Sequence, residues 1–173
     1  NQKILNLSNL IYKKINNYFY KKIENYNKIF YPQDKYLDWN KVYGKNGFFQ
    51  IQILIPKYKF INLMNKIYSF FIKNNLFSPF VIIKKISENG NYLNFYGNGY
   101  SISLDFKIDA NKKKIQNFFN KLIYEENLRV NLSKDLTIKK KTISHLKDYV
   151  NFSREIKKYN KNSLFSKRIF LSK

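Results

Sequence analysis

The sequence predicts an α+β protein: a ferredoxin-like antiparallel sheet in the order βαββαβ, with helices on one face and extra helices at the termini. Three observations carry this. Short β-branched and aromatic runs lie near residues 48–55, 80–86, 100–108 and 128–133, and the first, third and fourth alternate with period two. Helical apolar stripes separate the first run from the second and the third from the fourth. Between the second and third runs, the segment ENGNYLNFYGNG has the chemistry of turns.

The elements follow in order. From about Leu10 to Ile29, Ile11, Ile15, Tyr18, Phe19, Ile23 and Tyr26 recur among Lys and Asn, which predicts a helix leading to a loop at Pro32. The run FFQIQILI from Phe48 to Ile55 lies between Gly47 and Pro56 and reads as a strand. Residues 58–73 place Phe60, Met64, Ile67, Tyr68 and Phe71 at helical spacing, and Asn74 and Asn75 offer a stop. Strands are expected at Phe80–Ile86 and Tyr100–Ile108. After Asp109, a plausible N-cap, Ile115, Phe118, Phe119, Leu122 and Ile123 form the stripe of another helix. Leu128 to Ser133 completes the sheet, and helix resumes from Thr137 into a basic tail.

Composition sets how much the charge means. The chain has 173 residues and a formal net charge of +22, yet only Arg129, Arg154 and Arg168 among its 33 basic residues are arginine. With 25 Asn and a single Ala, Ala110, the skew looks like that of a genome rich in A and T. A dedicated nucleic-acid surface draws on the planar fork of Arg, so most of this charge reads as codon bias, while phosphate-bearing substrates stay compatible with it. At 44% hydrophobic and 18% aromatic, the length suits one domain with a real core. Without cysteine there is no disulfide framework, thiolate metal site or thiol nucleophile, and the lone His145 is the one candidate for a histidine metal cluster or a Ser-His-Asp triad, with a surface or capping role the expectation. No apolar run approaches the roughly 20 residues that span a bilayer. The chain opens on Asn1 instead of Met, which points to an upstream part.

Strand parity separates two sheet faces. Phe49, Ile51 and Ile53 point one way and Gln50 and Gln52 the other. In the third strand Tyr100, Ile102, Leu104 and Phe106 alternate with Ser101, Ser103 and Asp105; in the fourth, Val130 and Leu132 alternate with Arg129, Asn131 and Ser133. One face belongs under the helices. The other carries neutral hydrogen-bonding groups, which suits water or a site against something large and flat.

The stretch from Tyr31 to Pro56, YPQDKYLDWNKVYGKNGFFQIQILIP, holds the only Trp (Trp39), two of five glycines and two of three prolines against that compositional bias. With the preceding Phe30, and with the pieces IIKKIS, GYSISLDFKI, LRVNLSKD and LFSKRIF in order, it resembles the carboxy-terminal half of FAD-linked oxidases of the vanillyl-alcohol-oxidase fold, closest to the decaprenylphosphoryl-ribose 2-oxidase group. The most specific matches are Pro32, Asp34, Trp39, Asn40, Tyr43, Gly44, Gly47, Phe48, Gln50, Gln52 and Pro56. The resemblance implies that residues 1–30 lead into a cap domain, 31–173, whose open sheet face covers an isoalloxazine. It also implies an FAD-binding domain, upstream or on a separate chain. No phosphate-cradling glycine loop is present, so this chain alone is not expected to hold FAD tightly.

The implied activity is oxidation of a secondary alcohol on a sugar or polyprenyl-phosphate sugar, with hydride passing to FAD. Lys134, in an SKD that matches the family's AKD, is implied as catalytic, either polarising the substrate oxygen or offsetting charge on reduced flavin, or acting as base with a lowered pKa. Gln52, Lys84, Ser101 and Ser103 are implied at the substrate, with the register of Lys84 against Lys85 open; Gln50, Asn131 and Arg129 are implied at the cofactor, and no metal is. Asp34 and Trp39 read equally as turn and core residues. The implied partners include a short-chain dehydrogenase acting on the keto product, and the expected setting is cytoplasmic with peripheral membrane contact and no specific nucleic acid. Departures fall at Asn131, where the family has tyrosine, at Ser101 and Ser103, where near relatives have Asn and Cys, and at Ser87, where glycine is usual; the substrate is therefore not carried over.

The main alternative is an RNA-binding module of the RRM kind, which shares the βαββαβ order. Its basic-Gly-aromatic motif belongs on the third strand, whereas KNGFFQIQ is the first, and the open face carries glutamines and serines instead of stacking rings. A basic membrane-surface module is a second alternative.

Overall fold

A computed structural model of the chain describes residues 2–18, 23, 25–30, 38–90, 95–134, 138–144, 146–156, 164 and 167. They fall into two compact units, Asn1–Trp39 and Asn40–Lys173. In the first, α1 spans Gln2–Tyr18 and α2 spans Tyr26–Phe30. The sequence had suggested one helix from about Leu10; the helix begins earlier because the apolar spacing of Ile11 and Ile15 already runs through Leu7. Asn25 starts α2, its side-chain oxygen accepting the Asn27 N–H at 2.9 Å.

The second unit contains β1 (Phe48–Pro56), α3 (Phe60–Lys73), β2 (Val81–Glu88), β3 (Gly97–Lys107), α4 (Lys112–Glu126), β4 (Arg129–Val130), α5 (Lys140–Ile143) and α6 (Lys147–Ile156). The strands form one antiparallel sheet in the order β2-β3-β1-β4. Each of α3 and α4 joins two strands that run the same way with a third between them, the split βαβ order that the sequence predicts.

The core fills the space between one sheet face and the helices. Phe49, Ile51, Ile53 and Ile55 of β1 and Ile102, Leu104 and Phe106 of β3 meet Leu63 and Ile67 of α3 and Ile115, Phe119, Leu122 and Ile123 of α4. Phe106 lies at the junction, with ring centroids 5.4 Å from Phe49, 5.7 Å from Phe71 and 6.0 Å from Phe119. Phe70 stacks on Phe118 at 3.8 Å and ties α3 to α4.

Several boundaries differ from expectation for identifiable reasons. Asp109 does not cap α4. Its side chain accepts the Asn111 N–H at 2.8 Å and its carbonyl the Lys112 N–H at 3.0 Å, forming a turn that precedes the helix. At the other end Asn127 adopts a left-handed conformation (φ 53), which lets the Leu128 N–H reach the Ile123 carbonyl at 3.0 Å and releases the chain directly into β4.

β4 itself is only two residues long. Beyond it the Asn131 N–H still donates to the Gln52 carbonyl at 2.9 Å, and a turn closed by Lys134 N–H to the Asn131 carbonyl then leads the chain off the sheet. Gly97–Gly99, expected in a turn, belong to β3: a Cβ on Gly99 would lie 2.1 Å from the Ile55 carbonyl oxygen, so glycine here permits the close approach of β1 and β3. Thr137, the predicted start of the last helices, lies outside the described residues. α5 is held to α4 by the buried amide of Asn120, whose oxygen accepts the Lys139 N–H and the Thr142 hydroxyl, each at 2.7 Å.

At the end of α4, Glu126 accepts from Lys59 at 3.0 Å and Lys66 at 2.6 Å, tying α4 to α3 and to the turn that precedes α3. The hydrogen bonds from Lys66 and Lys59 hold its carboxyl below the usual range. Its folded pKa is lowered, so the stabilisation is present above the unfolded value near pH 4.3 and is lost as pH falls through the folded one. Glu126→Gln should cost about 1 kcal/mol at neutral pH in low salt. Denaturant unfolding at pH 7 and pH 3 should show a smaller difference at the lower pH.

Candidate functional site

The second sheet face is built by alternation. Cross-strand partners share a face, and the register pairs Gln50 with Asp105, Gln52 with Ser103, Leu54 with Ser101 and with Arg129, and Ser101 with Lys84. Gln50, Gln52, Lys84, Ser101, Ser103 and Arg129 therefore stand on one surface, and Asn131 joins them two residues beyond Arg129. Lys85 pairs with Tyr100 and faces the other way, so of the two lysines Lys84 shares the face of Ser101.

These groups bond to one another. The Gln50 amide donates to Asp105 at 2.6 Å, the Gln52 amide donates to the Ser101 hydroxyl at 2.9 Å, and the Asn131 amide donates to the Gln52 oxygen at 2.8 Å. The Asn131 oxygen in turn accepts the Ser133 hydroxyl at 2.6 Å. Gln52 thereby uses one of two N–H donors and one of two lone pairs, so it is fixed in orientation and keeps a donor and an acceptor for a ligand.

Depth divides the predicted site residues. Ser101 and Ser103 are 2% and 6% exposed, so their hydroxyls back the layer a ligand would touch and do not form its surface. Gln50, Gln52 and Asn131 are half-buried and Lys84 is exposed. Lys134 is exposed on the turn after Asn131, and among the described residues it makes no ion pair. Arg129 does not point into free space: it bridges to Asp148 of α6 at 2.5 Å and lies 3.8 Å over the Tyr96 ring, whose hydroxyl donates to the same carboxylate at 3.1 Å. That trio fastens β4 to α6 and to the start of β3, so Arg129 is committed to the scaffold.

At the opposite end the face is closed. Residues Trp39–Tyr43 form one 3-10 turn, and Gly44 and Gly47, both left-handed (φ 79 and 71), reverse the chain into β1. This turn lays Tyr43 over the sheet: its ring stacks on Phe48 at 4.5 Å and its hydroxyl donates to Asp105 at 2.9 Å. Tyr43 is 1% exposed and Asp105 6%. Burial, and then the bond to Asp105, push the Tyr43 phenol well above its usual pKa. Sequence reasoning sorted Asp105 to the polar face without giving it a role; the available signal was an acid alternating with serines on a strand otherwise buried.

No family model matches the chain, and no curated protein matches it. Among the described residues no group of three His, Cys, Asp or Glu side chains could hold a metal.

The face thus has a closed aromatic end, a fastened end at Arg129 and Tyr96, and a middle strip of neutral amides flanked by Lys84 and Lys134. Such a strip can hydrogen-bond the edge of a planar polar ring and place a cation beside developing negative charge. At the closed end the Tyr43 ring is covered, while Phe80, 6.4 Å from it, is partly exposed.

Proposed function

We propose that this chain is the cap of an FAD-dependent oxidoreductase acting on a secondary alcohol of a sugar. The observation that carries the reading is the pre-set amide strip of Gln50, Gln52 and Asn131, which retains hydrogen-bonding capacity on one flat sheet face. The donor and acceptor pattern of that strip fits the polar edge of a flavin ring, and the FAD phosphates belong to a separate FAD-binding domain. When bound, FAD supplies the hydride acceptor. Gln52 and Gln50 orient the ring or the substrate hydroxyl. Lys84 meets a sugar hydroxyl or a phosphate from the strand edge, and Lys134 holds positive charge near the reacting oxygen. Ser101 and Ser103 act indirectly, by fixing Gln52 and supporting the strip.

The first test is the isolated gene product together with its FAD-binding domain. It should carry yellow flavin that a sugar alcohol bleaches, and it should lose single-stranded RNA as salt rises to about 200 mM. A colourless protein that keeps RNA at that salt would support the RRM reading instead.

A further inference from the structure

The polarity of the amide strip is dictated from both ends. At one end the Ser133 backbone N–H, which can only donate, holds the Asn131 oxygen at 3.1 Å. The Asn131 nitrogen therefore faces the Gln52 oxygen at 2.8 Å, and the Gln52 nitrogen in turn faces the Ser101 hydroxyl at 2.9 Å. At the other end Asp105 has the converse role. Its carboxylate can only accept, and it takes the Tyr43 hydroxyl on one oxygen at 2.9 Å and the Gln50 nitrogen on the other at 2.6 Å. Asp105 is buried and held in place, its backbone N–H donating to the Ser78 oxygen at 3.0 Å and the Phe80 carbonyl at 3.3 Å. Tying the Trp39–Tyr43 turn to the sheet would need no buried charge, since an Asn carbonyl would accept the same phenol. What a carboxylate adds is a fixed direction for the Gln50 amide.

We propose that Asp105 is a positioning residue of the strip: it holds the Gln50 nitrogen and leaves the Gln50 oxygen, unpartnered among the described residues, as the acceptor for a ligand N–H. The identity of that ligand rests on the oxidase reading, on which the donor is N3–H, the one N–H of the oxidised isoalloxazine ring. Asp105 acts only through Gln50 and touches no reacting atom. An Asn at position 105 could offer Gln50 either a donor or an acceptor, so Asp105→Asn keeps the shape and releases the orientation.

Two measurements separate this role from a structural one. In the chain alone, heteronuclear magnetic resonance of the Gln50 side-chain amide should show one proton well downfield of those of exposed glutamines, as in a short bond to a carboxylate. Asp105→Asn should lose that shift. Tyr43→Phe, which loosens the same turn but leaves the acceptor, should keep it. In the chain assembled with the FAD-binding domain proposed for it and loaded with FAD isotope-labelled at N3, exchange of the N3–H proton should quicken about fivefold in Asp105→Asn. Gln50→Leu, at a half-buried position whose folding does not depend on Asp105→Asn, should give the same acceleration, and Tyr43→Phe the parent rate. A Gln50 signal unchanged by Asp105→Asn would overturn the proposal whether or not flavin binds, and so would parent-like N3–H exchange in both strip variants. An equal effect of Tyr43→Phe would make Asp105 a tie for the turn and overturn it as well. An assembled protein that binds no flavin would overturn the oxidase reading, and flavin as the occupant with it, without altering the Gln50 result.

Discussion

Phe106→Ala should cost about 3–5 kcal/mol, the largest loss expected from any single truncation in this chain. The ring is 1% exposed and meets Phe49, Phe71 and Phe119, so one deletion opens a void that touches β1, α3 and α4 together. Domains of this size are held by about 5–15 kcal/mol, so the variant should sit near the limit of cooperative folding. Thermal unfolding followed by near-ultraviolet circular dichroism should show a midpoint lower by about 10 °C or more. A loss below about 1 kcal/mol would mean that the two helices do not close on the sheet through this ring.

Asp105→Ala should cost about 2–4 kcal/mol, although it removes only a short polar side chain. It strips the acceptor from the buried Tyr43 hydroxyl and from the Gln50 amide, and it frees the turn at Trp39–Tyr43 from the sheet. The same pair contributes to the loss of stability expected at alkaline pH. Desolvation and the bond to Asp105 raise the folded pKa of Tyr43, and desolvation raises that of Tyr149. A phenol with a raised folded pKa contributes stability that is intact below its unfolded value near 10 and is lost as pH rises past it. Stability should therefore fall above pH 10 by about 1.4 kcal/mol per pH unit for each such group. Tyr43→Phe should shed its share of that slope. An identical alkaline limb in Tyr43→Phe would show that the phenol is not desolvated in the folded protein.

Much of this architecture was legible in the residues because period-two alternation is a local signal. Phe49, Ile51 and Ile53 against Gln50 and Gln52 fixed both the strand and its buried side, and the stripes of α3 and α4 fixed where the helices pack. What could not be read depended on partners distant in sequence. β4 looked longer because Leu132 continues the alternation, but pairing with β1 extends only to Leu54 and Ile53 before the turn at Asn131. Gly97–Gly99 carry turn chemistry and nonetheless form strand, because the Ile55 carbonyl requires a residue without Cβ opposite it. Arg129 looked available, but its partners Asp148 and Tyr96 lie 19 and 33 positions away. Ser101 and Ser103 were assigned to the right face at the wrong depth, since the Gln52 side chain that covers Ser101 comes from the neighbouring strand.

The central claim is that the amide strip, and not the helical side, meets the flavin. The direct measurement for the proposal is the absorption spectrum and substrate-driven reduction rate of flavin in the gene product assembled with the FAD-binding domain proposed for it, for Gln52→Leu, Lys134→Ala and a control on the helical side, Lys66→Ala. Loss of one positioned donor or cation at a reacting centre is worth about 2–4 kcal/mol. The account therefore predicts a shifted spectrum for Gln52→Leu, reduction slowed by roughly 100-fold for Lys134→Ala, and neither change for Lys66→Ala. Parent-like spectra and rates in both sheet-face variants would contradict it.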